Sequence, residues 1–340
     1  MKIKTALIGF GMAGQFFHLP ALYNSSDYNV KMVMTNNLKN IKILKEKYKE
    51  VTIINNFDEA INNKDIDLII IATSNDVHYE YTNRALKAGK HVVCEKPFVR
   101  KYKDAKKLYK YAAKNNLVLK VFHNRKYDGD ILTLKDVLSN KNFGKPVSFE
   151  TRFDRLSPEI DENWRNKDTV MAGVFYDLAP HLVHHAIDLF GMPIKVSNHL
   201  FYDRINSIVD DHFEMTLFYE SGFYAKLSSH TLEREKMPKI AFHGNLSSYV
   251  KYGFDNPDYV LNRSNNIYQN NNLISKYITN DLKVENIPLK KGTHYLFYEK
   301  LASYITNGNV HNEDIKLALD VVKVMEKALI SNRLGKVIKI

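Results

Sequence analysis

The sequence predicts an α/β protein in which a parallel sheet covered by helices is followed by an α+β domain with a mainly antiparallel sheet. Over about the first 120 residues, strand-like and helix-like segments alternate, which is typical of a parallel sheet. After residue 123 the pattern changes to strands joined by hairpin turns around one clear helix. The chain has 340 residues, enough for roughly two domains at about 150 residues each. We therefore predict domains over residues 1–123 and 124–340.

The N-terminal elements follow one another as strand, helix, strand. The segment 67–72 is a continuous apolar run, as expected for a strand buried on both faces. The other predicted strands cover residues 2–8, 30–34, 91–94 and 117–122. The predicted helices run from the glycine cluster to Tyr23 and over residues 38–48, 78–88 and 102–114.

The second half contains a hairpin, two further strands and two helices. Residues 213–219 and 223–227 flank Glu220-Ser221-Gly222, a pattern typical of a β-hairpin. A helix over 177–190 is predicted to stop at Gly191, with Pro193 beyond it. Further strands are expected at 147–153 and 239–242, a loop at the Asn-rich segment 262–276, and a last helix over 312–331.

Composition argues against several classes of protein. The net charge is +11 at pH 7, but the lysines are spread along the chain or lie opposite an apolar helix stripe, so we expect no nucleic-acid partner. No apolar run approaches the roughly 20 residues of a membrane helix, so we expect no membrane partner. Glycines interrupt the apolar run near the N-terminus, which favours a cytoplasmic location over a signal peptide. The single cysteine, Cys94, excludes an intrachain disulfide and a cysteine-based zinc site.

A glycine motif directly follows the first predicted strand and opens a helix. In a GxGxxG motif the glycines allow a tight turn, backbone approach to a pyrophosphate and close helix–strand packing. The pyrophosphate is expected at the helix N-terminus, where unpaired N–H groups and the helix dipole favour an anion. The motif therefore predicts a dinucleotide site that includes Gly9, Phe10, Gly11, Met12, Ala13 and Gly14.

The end of the second strand indicates which dinucleotide is bound. Sites for NAD usually place an acidic residue there, about 20 residues beyond the glycines, to bind the ribose 2′-hydroxyl. This chain instead has Thr35, Asn36 and Lys39, with no carboxylate between residues 34 and 39. Small polar groups and a cation suit a 2′-phosphate, so NADP(H) is preferred and NAD(H) remains possible. The alternative is that these residues form a solvent-exposed turn without a role in binding.

Two further motifs follow the glycines in order. Residues 72–98 contain Glu95-Lys96-Pro97, and residues 172–191 contain an Asp-x-x-x-His pair, Asp177 and His181. With these three motifs the chain resembles the Gfo/Idh/MocA oxidoreductases over nearly its whole length. Residues 121–134, 152–165 and 176–182 resemble, more narrowly, the branch that contains NADP-dependent scyllo-inositol 2-dehydrogenases. The resemblance implies a Rossmann domain and a C-terminal α+β domain whose open sheet mediates oligomers.

The resemblance also implies roles for individual residues. Lys96, Asp177 and His181 would line the substrate pocket beside the nicotinamide and act as the catalytic residues. Arg125 and Tyr127 would contact substrate as well. The expected cofactor contacts beyond the glycine loop and second strand are Thr73, Asn75, His78, Glu95, Lys96, Trp164 and Arg165.

The chain departs from the narrower branch in two places. Glu95 stands where the branch more commonly has aspartate, and the resulting Glu95-Lys96-Pro97 is closer to the motif of the wider family. His184 and His185 stand where the branch usually carries an Asp-Gln-like pair. This second departure puts the exact substrate in doubt, but not the class of reaction.

The residue chemistry agrees with a dehydrogenase. A proton must move to or from the substrate oxygen as hydride moves, and Lys96 could carry it if burial and neighbouring cations lowered its pKa. Asp177 and His181 are four residues apart on a predicted helix, so they share a face. Without a catalytic role, Lys96 would be an exposed lysine at a strand end, Asp177 an acid that caps a helix, and His181 a histidine buried in the core. A metal stripe of Asp177, His181, His184 and Asp188 is also conceivable, but metal sites usually recruit more than one element, so we predict no metal.

The leading functional hypothesis is an NADP(H)-dependent oxidoreductase that acts on a secondary alcohol or ketone of a cyclic polyol or sugar. The alternative is a catalytically inactive regulator that senses dinucleotides with the same fold. A regulator would not need Lys96, Asp177 and His181 together, so their joint presence favours an enzyme. A sheet covered by helices on one face should leave an apolar face, which predicts a homodimer or homotetramer. His18, on the helix after the glycines, receives no role from the sequence.

Overall fold

The computed structural model describes residues 2–161, 164–254, 274–308 and 312–340. The chain forms two compact units. The first comprises Met1–Asn124 with His294–Lys316, and the second comprises Arg125–Thr293 with Leu317–Ile340. The observed division differs from the predicted boundary because residues 294–316 belong to the first unit. Aromatic packing explains the difference: the Phe297 ring lies 4.7 Å from that of Phe122, and the Tyr28 hydroxyl donates to the Tyr298 carbonyl at 2.6 Å.

The first unit is built on a six-stranded sheet with the strand order β3-β2-β1-β4-β5-β6. Every pairing in this sheet is parallel, as the alternating sequence pattern predicts. The strands are β1 (Ile3–Ile8), β2 (Tyr28–Met34), β3 (Thr52–Ile54), β4 (Leu68–Ile71), β5 (His91–Cys94) and β6 (Leu119–Val121). Its helices up to residue 124 are α1 (Leu19–Tyr23), α2 (Leu38–Lys47), α3 (Phe57–Asn62), α4 (His78–Lys87) and α5 (Tyr102–Lys114).

Two elements of this unit before residue 124 were not predicted from the sequence, and neither was the helix Tyr295–Asn307. Strand β3 has three residues and helix α3 has six, which is too short for a clear hydrophobic period. A local signal was nevertheless present, since Asn56 and Glu59 form a capping box at the start of α3. The helix after the glycines also differs from a regular α-helix, because Gly14–His18 is a π-helical turn.

The second unit is built on a nine-stranded sheet with the order β14-β13-β12-β11-β7-β10-β9-β8-β15. Among the described strands of this second sheet, only the β7–β10 pairing is parallel, so the prediction of a mainly antiparallel sheet is confirmed. Its strands are β7 (Pro146–Arg152), β8 (Lys195–Phe201), β9 (His212–Phe218), β10 (Tyr224–His230), β11 (Pro238–Gly244), β12 (Ser247–Tyr252), β13 (Ile274–Thr279), β14 (Val284–Pro288) and β15 (Ile338–Lys339). The remaining α-helices among the described residues are α6 (Gly129–Asn140), α7 (Gly173–Phe190), α8 (Tyr295–Asn307) and α9 (Asn312–Leu334).

The predicted elements of this half are present with shifted ends. The β9–β10 hairpin pairs Phe218 with Tyr224, and α7 ends at Gly191 as predicted but begins at Gly173. Most of the Asn-rich segment, residues 262–273, lies outside the described residues. Residues 274–276, predicted as loop, instead belong to β13, where Ser275 and Tyr277 are buried.

One face of the nine-stranded sheet packs against helices. Phe149, Phe213 and Leu227 point into a core that they share with Ile131 and Val183 of the helices. The alternate side chains face the opposite side, and in the central strands many of them are charged or polar: Glu150, Arg152, Glu214, Lys226 and His230. The central strands of the uncovered face are therefore more polar than expected, and the homo-oligomer stays a prediction.

None of the helices in the described part of the chain combines the length and the apolar character that a membrane crossing requires.

Candidate active site

The glycine loop after β1 has two glycines that the fold requires and one that it does not. Gly9 has φ +101°, and a Cβ there would lie 2.4 Å from the Ala72 carbonyl oxygen. A Cβ on Gly14 would lie 2.5 Å from the Gly9 oxygen. A Cβ on Gly11 would meet no protein atom within 4 Å. The chain therefore leaves space at Gly11, beside the start of a helix, and this arrangement fits the pyrophosphate of a dinucleotide.

Two amide side chains hold the glycine loop against the helix that follows β2. Gln15 Nε2 and Asn40 Nδ2 each donate to the Phe10 carbonyl oxygen at 2.8 Å. Gln15 Nε2 also lies 3.0 Å from Asn40 Oδ1. Neither residue could be predicted from the sequence, because a hydrogen bond between side chains 25 positions apart leaves no local signal.

The turn after β2 divides its polar residues between structural and exposed positions. Asn37 caps α2, with its Oδ1 accepting from the backbone N–H groups of Lys39 and Asn40 at 2.9 and 3.2 Å. Thr35 is buried, whereas the side chains of Asn36 and Lys39 are exposed. The turn thus presents an amide and an ammonium group to solvent at the carboxyl end of the sheet, where open α/β sheets bind ligands.

Glu95, Lys96 and Pro97 directly follow β5 at this same edge. The Lys96 side chain is partly buried, and the Glu95 carboxylate is 3.0 Å from His18 Nε2 and accepts from the Lys96 N–H at 3.0 Å. From the sequence we considered cations as neighbours of Lys96. The structure instead places the Glu95 carboxylate beside it. The Glu95 carboxylate faces a buried histidine, which was not foreseen for a predicted cofactor contact.

Three further predicted cofactor residues follow β4. Thr73 is partly buried, and Asn75 is buried in a short 3₁₀ turn. His78 is fully buried, and its Nδ1 lies 2.8 Å from the Pro97 carbonyl oxygen. Burial lowers the pKa of His78, so the neutral ring donates to Pro97 and holds the loop that carries Lys96.

In the second unit, α7 carries Asp177 and His181 one turn apart. Asp177 Oδ1 accepts from Arg165 Nε at 3.2 Å. Asp177 is not the helix N-cap, which is Ala172, so the structure does not support a capping role for it. His181 is buried, and its ring lies 6.4 Å from that of Phe153. The pairing of Arg165 with Asp177 was not predicted, and the Trp164 side chain lies outside the described residues.

The second unit also contains the two other predicted substrate contacts, Arg125 and Tyr127. Arg125 Nη1 donates to the buried Asp128 at 3.0 Å, and Tyr127 is buried. The two histidines that depart from the branch pattern, His184 and His185, are both buried. Burial lowers the pKa of His185 to about 4, so this ring is neutral at pH 7 and donates through Nε2 to the Arg125 carbonyl at 3.2 Å.

The N-terminus of α7 depends on a residue that the sequence analysis missed. Asp210 Oδ2 accepts from the Phe175 N–H at 2.6 Å, and the Asp210 carbonyl accepts from Val174 at 2.9 Å. Gly173 has φ +88°, and a Cβ there would lie 2.1 Å from Asp210 Oδ1. Burial outweighs these hydrogen bonds and raises the pKa of Asp210 to about 6. Asp210 therefore fixes where the helix with Asp177 and His181 begins.

One group of potential metal ligands occurs among the described residues, and it is not the predicted helix stripe. Asp203, His212 and His230 have ligand atoms within 4.8 Å of one another, whereas Asp188 pairs with Lys135 at 2.5 Å. Leu232 N–H donates to His230 Nδ1 at 3.0 Å, so the neutral ring carries its proton on Nε2, the atom that faces Asp203. His212 lies between Asp203 and Glu214 at 2.8 and 3.5 Å, as expected for an imidazolium between carboxylates.

Comparisons with known proteins agree with this geometry. Residues 3–123 match the model of an oxidoreductase family with an NAD-binding Rossmann fold, and residues 131–250 match the GFO/IDH/MocA C-terminal domain. The scyllo-inositol 2-dehydrogenase (NADP(+)) IolW of Bacillus subtilis is 29% identical, covering 97% of this chain and 94% of the relative. The uncharacterised oxidoreductase YdgJ of Escherichia coli is 35% identical, covering 75% and 72%.

Solved structures give the same result. The structure of yvaA from Bacillus subtilis has a TM-score of 0.91 and 29% identity, covering 100% of this chain and 98% of that chain. An oxidoreductase from Bacillus cereus has a TM-score of 0.84 and 25% identity, covering 100% and 99%. Both the N-terminal and the C-terminal models of one family match in order, and the glycine and Glu-Lys-Pro motifs lie at strand ends, where that fold binds ligands. The chain therefore belongs to the Gfo/Idh/MocA family of oxidoreductases.

Proposed function

We propose that the protein is an NADP(H)-dependent dehydrogenase or reductase of a secondary alcohol or ketone in a cyclic polyol or sugar. The observation that carries the proposal is the position of Lys96, which follows β5 at the same sheet edge as the glycine loop. A partly buried amine there can serve as a proton carrier beside a bound dinucleotide. The name of the Bacillus subtilis relative, a scyllo-inositol 2-dehydrogenase, supports an inositol-like substrate.

The proposed chemistry divides the work among three residues. When bound, the nicotinamide supplies the hydride acceptor for oxidation and the hydride donor for reduction. In oxidation Lys96 takes the hydroxyl proton through Nζ, and in reduction it returns that proton. His181 hydrogen-bonds the reacting oxygen or acts as its proton donor. Asp177, whose position is set by Arg165, accepts a hydrogen bond from a neighbouring substrate hydroxyl or orients His181.

The proposed activity can be tested with a panel of inositols, hexoses and anhydro-sugars. We expect NADP⁺ reduction with at least one polyol, or NADPH oxidation with the matching ketone, followed at 340 nm. The Lys96→Met variant, prepared in the same way, reports any contaminating activity. Tight NADPH binding without turnover across the panel would contradict the proposal and favour the dinucleotide-sensing alternative.

The preference for NADP(H) is a separate prediction that rests on the turn after β2. Lys39 is exposed at this turn, and no carboxylate lies between residues 34 and 39, so a 2′-phosphate meets a cation instead of an anion. We expect NADPH to bind more tightly than NADH. Lys39→Glu should weaken NADPH binding about tenfold or more, since it replaces a charge-assisted contact by a repulsion.

Titration of both cofactors by quenching of protein fluorescence measures this preference. Lys45→Glu is the matched control, because Lys45 is also exposed on α2 and carries the same change of charge away from the turn. Equal or tighter binding of NADH to the wild-type protein, or equal losses in the two variants, would show that the interpretation of the turn is wrong.

A further inference from the structure

A chain of three buried polar side chains ends at Lys96 in the first unit. The Tyr298 hydroxyl lies 2.5 Å from His18 Nδ1, and His18 Nε2 lies 3.0 Å from Glu95 Oε1. Glu95 Oε2 accepts from the backbone N–H of Lys96 at 3.0 Å. Tyr298, His18 and Glu95 are 1%, 0% and 8% exposed. Both carboxylate oxygens and both imidazole nitrogens therefore have partners in a site that excludes water.

The protonation states of Glu95 and Tyr298, at the two ends of the chain of side chains, bear on which atoms donate and which accept. Burial by itself would raise the pKa of the Glu95 carboxyl, but the hydrogen bond from His18 and the charges of protonated His18 and of Lys96 hold that pKa below its usual range. Glu95 is thus an acceptor, and His18 Nε2 donates to it. Burial raises the pKa of Tyr298 far above its usual range, so its hydroxyl keeps its proton. It donates to His18 Nδ1 when the ring is neutral, and it accepts from Nδ1 when the ring is protonated; Nε2 donates to Glu95 in both cases.

Packing around the imidazole leaves it little freedom to turn. The His18 ring lies 4.3 Å from the Phe122 ring and 6.1 Å from the Tyr298 ring. Tyr298 is itself held, because the Tyr28 hydroxyl donates to its carbonyl at 2.6 Å. An imidazole fixed in this way presents Nε2 to Glu95 at a constant position.

We infer that His18 and Tyr298 are positioning residues, which hold the Glu95 carboxylate against the Lys96 amide and thereby fix the backbone from which the Lys96 side chain projects. The inference rests on the proposed function, in which Lys96 carries the proton. It assigns His18 a role that neither the glycine motif nor the Glu-Lys-Pro motif indicates.

The first test measures turnover in four variants. His18→Leu removes both hydrogen bonds and should lower kcat about ten- to a hundredfold while leaving the dissociation constant of NADPH unchanged. His18→Gln retains a donor toward Glu95 and should recover most of the loss. Tyr298→Phe should have an intermediate effect. Tyr109→Phe is the control, since Tyr109 is a buried tyrosine of the same unit outside this chain of hydrogen bonds.

The pH profile separates positioning from a purely structural role. Without His18, the buried Glu95 should take up a proton at higher pH, so the acidic limb of kcat should move to higher pH in His18→Leu but not in Tyr109→Phe. A loss of thermal stability with an unchanged kcat and an unchanged acidic limb would overturn the inference. So would failure of His18→Gln to exceed His18→Leu in kcat.

A second readout does not require an active enzyme. The ¹³C shift of the Glu95 side-chain carboxyl, assigned by comparison with Glu95→Gln, can be followed through a pH titration of uniformly labelled protein. We expect its midpoint below the usual range for glutamate in the wild type and above that range in His18→Leu. Equal midpoints would overturn the inference. Shifted midpoints in a protein that turns over no polyol would leave the hydrogen-bonded chain intact and count against the proposed function alone.

Discussion

Replacing Lys96 with methionine is expected to lower kcat by roughly 10² to 10⁴, the range that positioned acid–base catalysis typically contributes. Methionine keeps the length of the stem but removes the ammonium group. The dissociation constant of NADPH should barely change, because we expect the glycine loop and the turn after β2 to make most of the contacts with the cofactor. His181→Ala should reduce kcat less than Lys96→Met if the lysine is the principal proton carrier.

The measurement is kcat and the NADPH dissociation constant for each variant on one active substrate. Lys101→Met is the control, since Lys101 is exposed just beyond the same strand end and loses the same charge. A Lys96→Met enzyme with near wild-type kcat would eliminate the mechanism. A variant that lost NADPH binding instead would assign Lys96 to the cofactor site.

Gly11→Ala is expected to lose affinity for NADPH, whereas Gly9→Ala is expected to lose stability. Gly11 has space for a Cβ, with no protein atom within 4 Å, so Gly11→Ala should fold with an unchanged melting temperature. A methyl group there would occupy the space proposed for the pyrophosphate, and NADPH affinity should fall about tenfold or more, by at least roughly 1.4 kcal/mol.

Gly9→Ala should instead be unstable before any ligand is added. The new Cβ would lie 2.4 Å from the Ala72 carbonyl oxygen at a φ of +101°, which we expect to cost about 3 kcal/mol or more. Thermal denaturation without cofactor and NADPH titration of the folded variants distinguish the two. A Gly11→Ala protein that binds NADPH as tightly as the wild type would place the pyrophosphate elsewhere.

The parallel sheet and its ligand-binding edge could be predicted from the sequence. Residues 68–71 of β4 are fully buried, and the uninterrupted apolar run reports that burial directly. The predicted bounds of β5 and α5 agree with the observed bounds, His91–Cys94 and Tyr102–Lys114. These elements carry strong local patterns, because the residues that contact the core recur at a regular spacing along each strand or helix. The same is true of the glycine and Glu-Lys-Pro motifs, which lie directly after strands β1 and β5.

The sequence by itself therefore determined the two kinds of sheet, the dinucleotide motif and the family resemblance that family models later confirmed. Only the tertiary structure decided that Tyr298 packs with the first unit, that Asp210 starts the helix with Asp177, and that His18 joins Glu95. His18 and Glu95 are 77 positions apart, and His18 and Tyr298 are 280 apart. Hydrogen bonds over such separations leave no periodicity in the chain, because they depend on how distant elements pack and not on the local spacing of apolar residues.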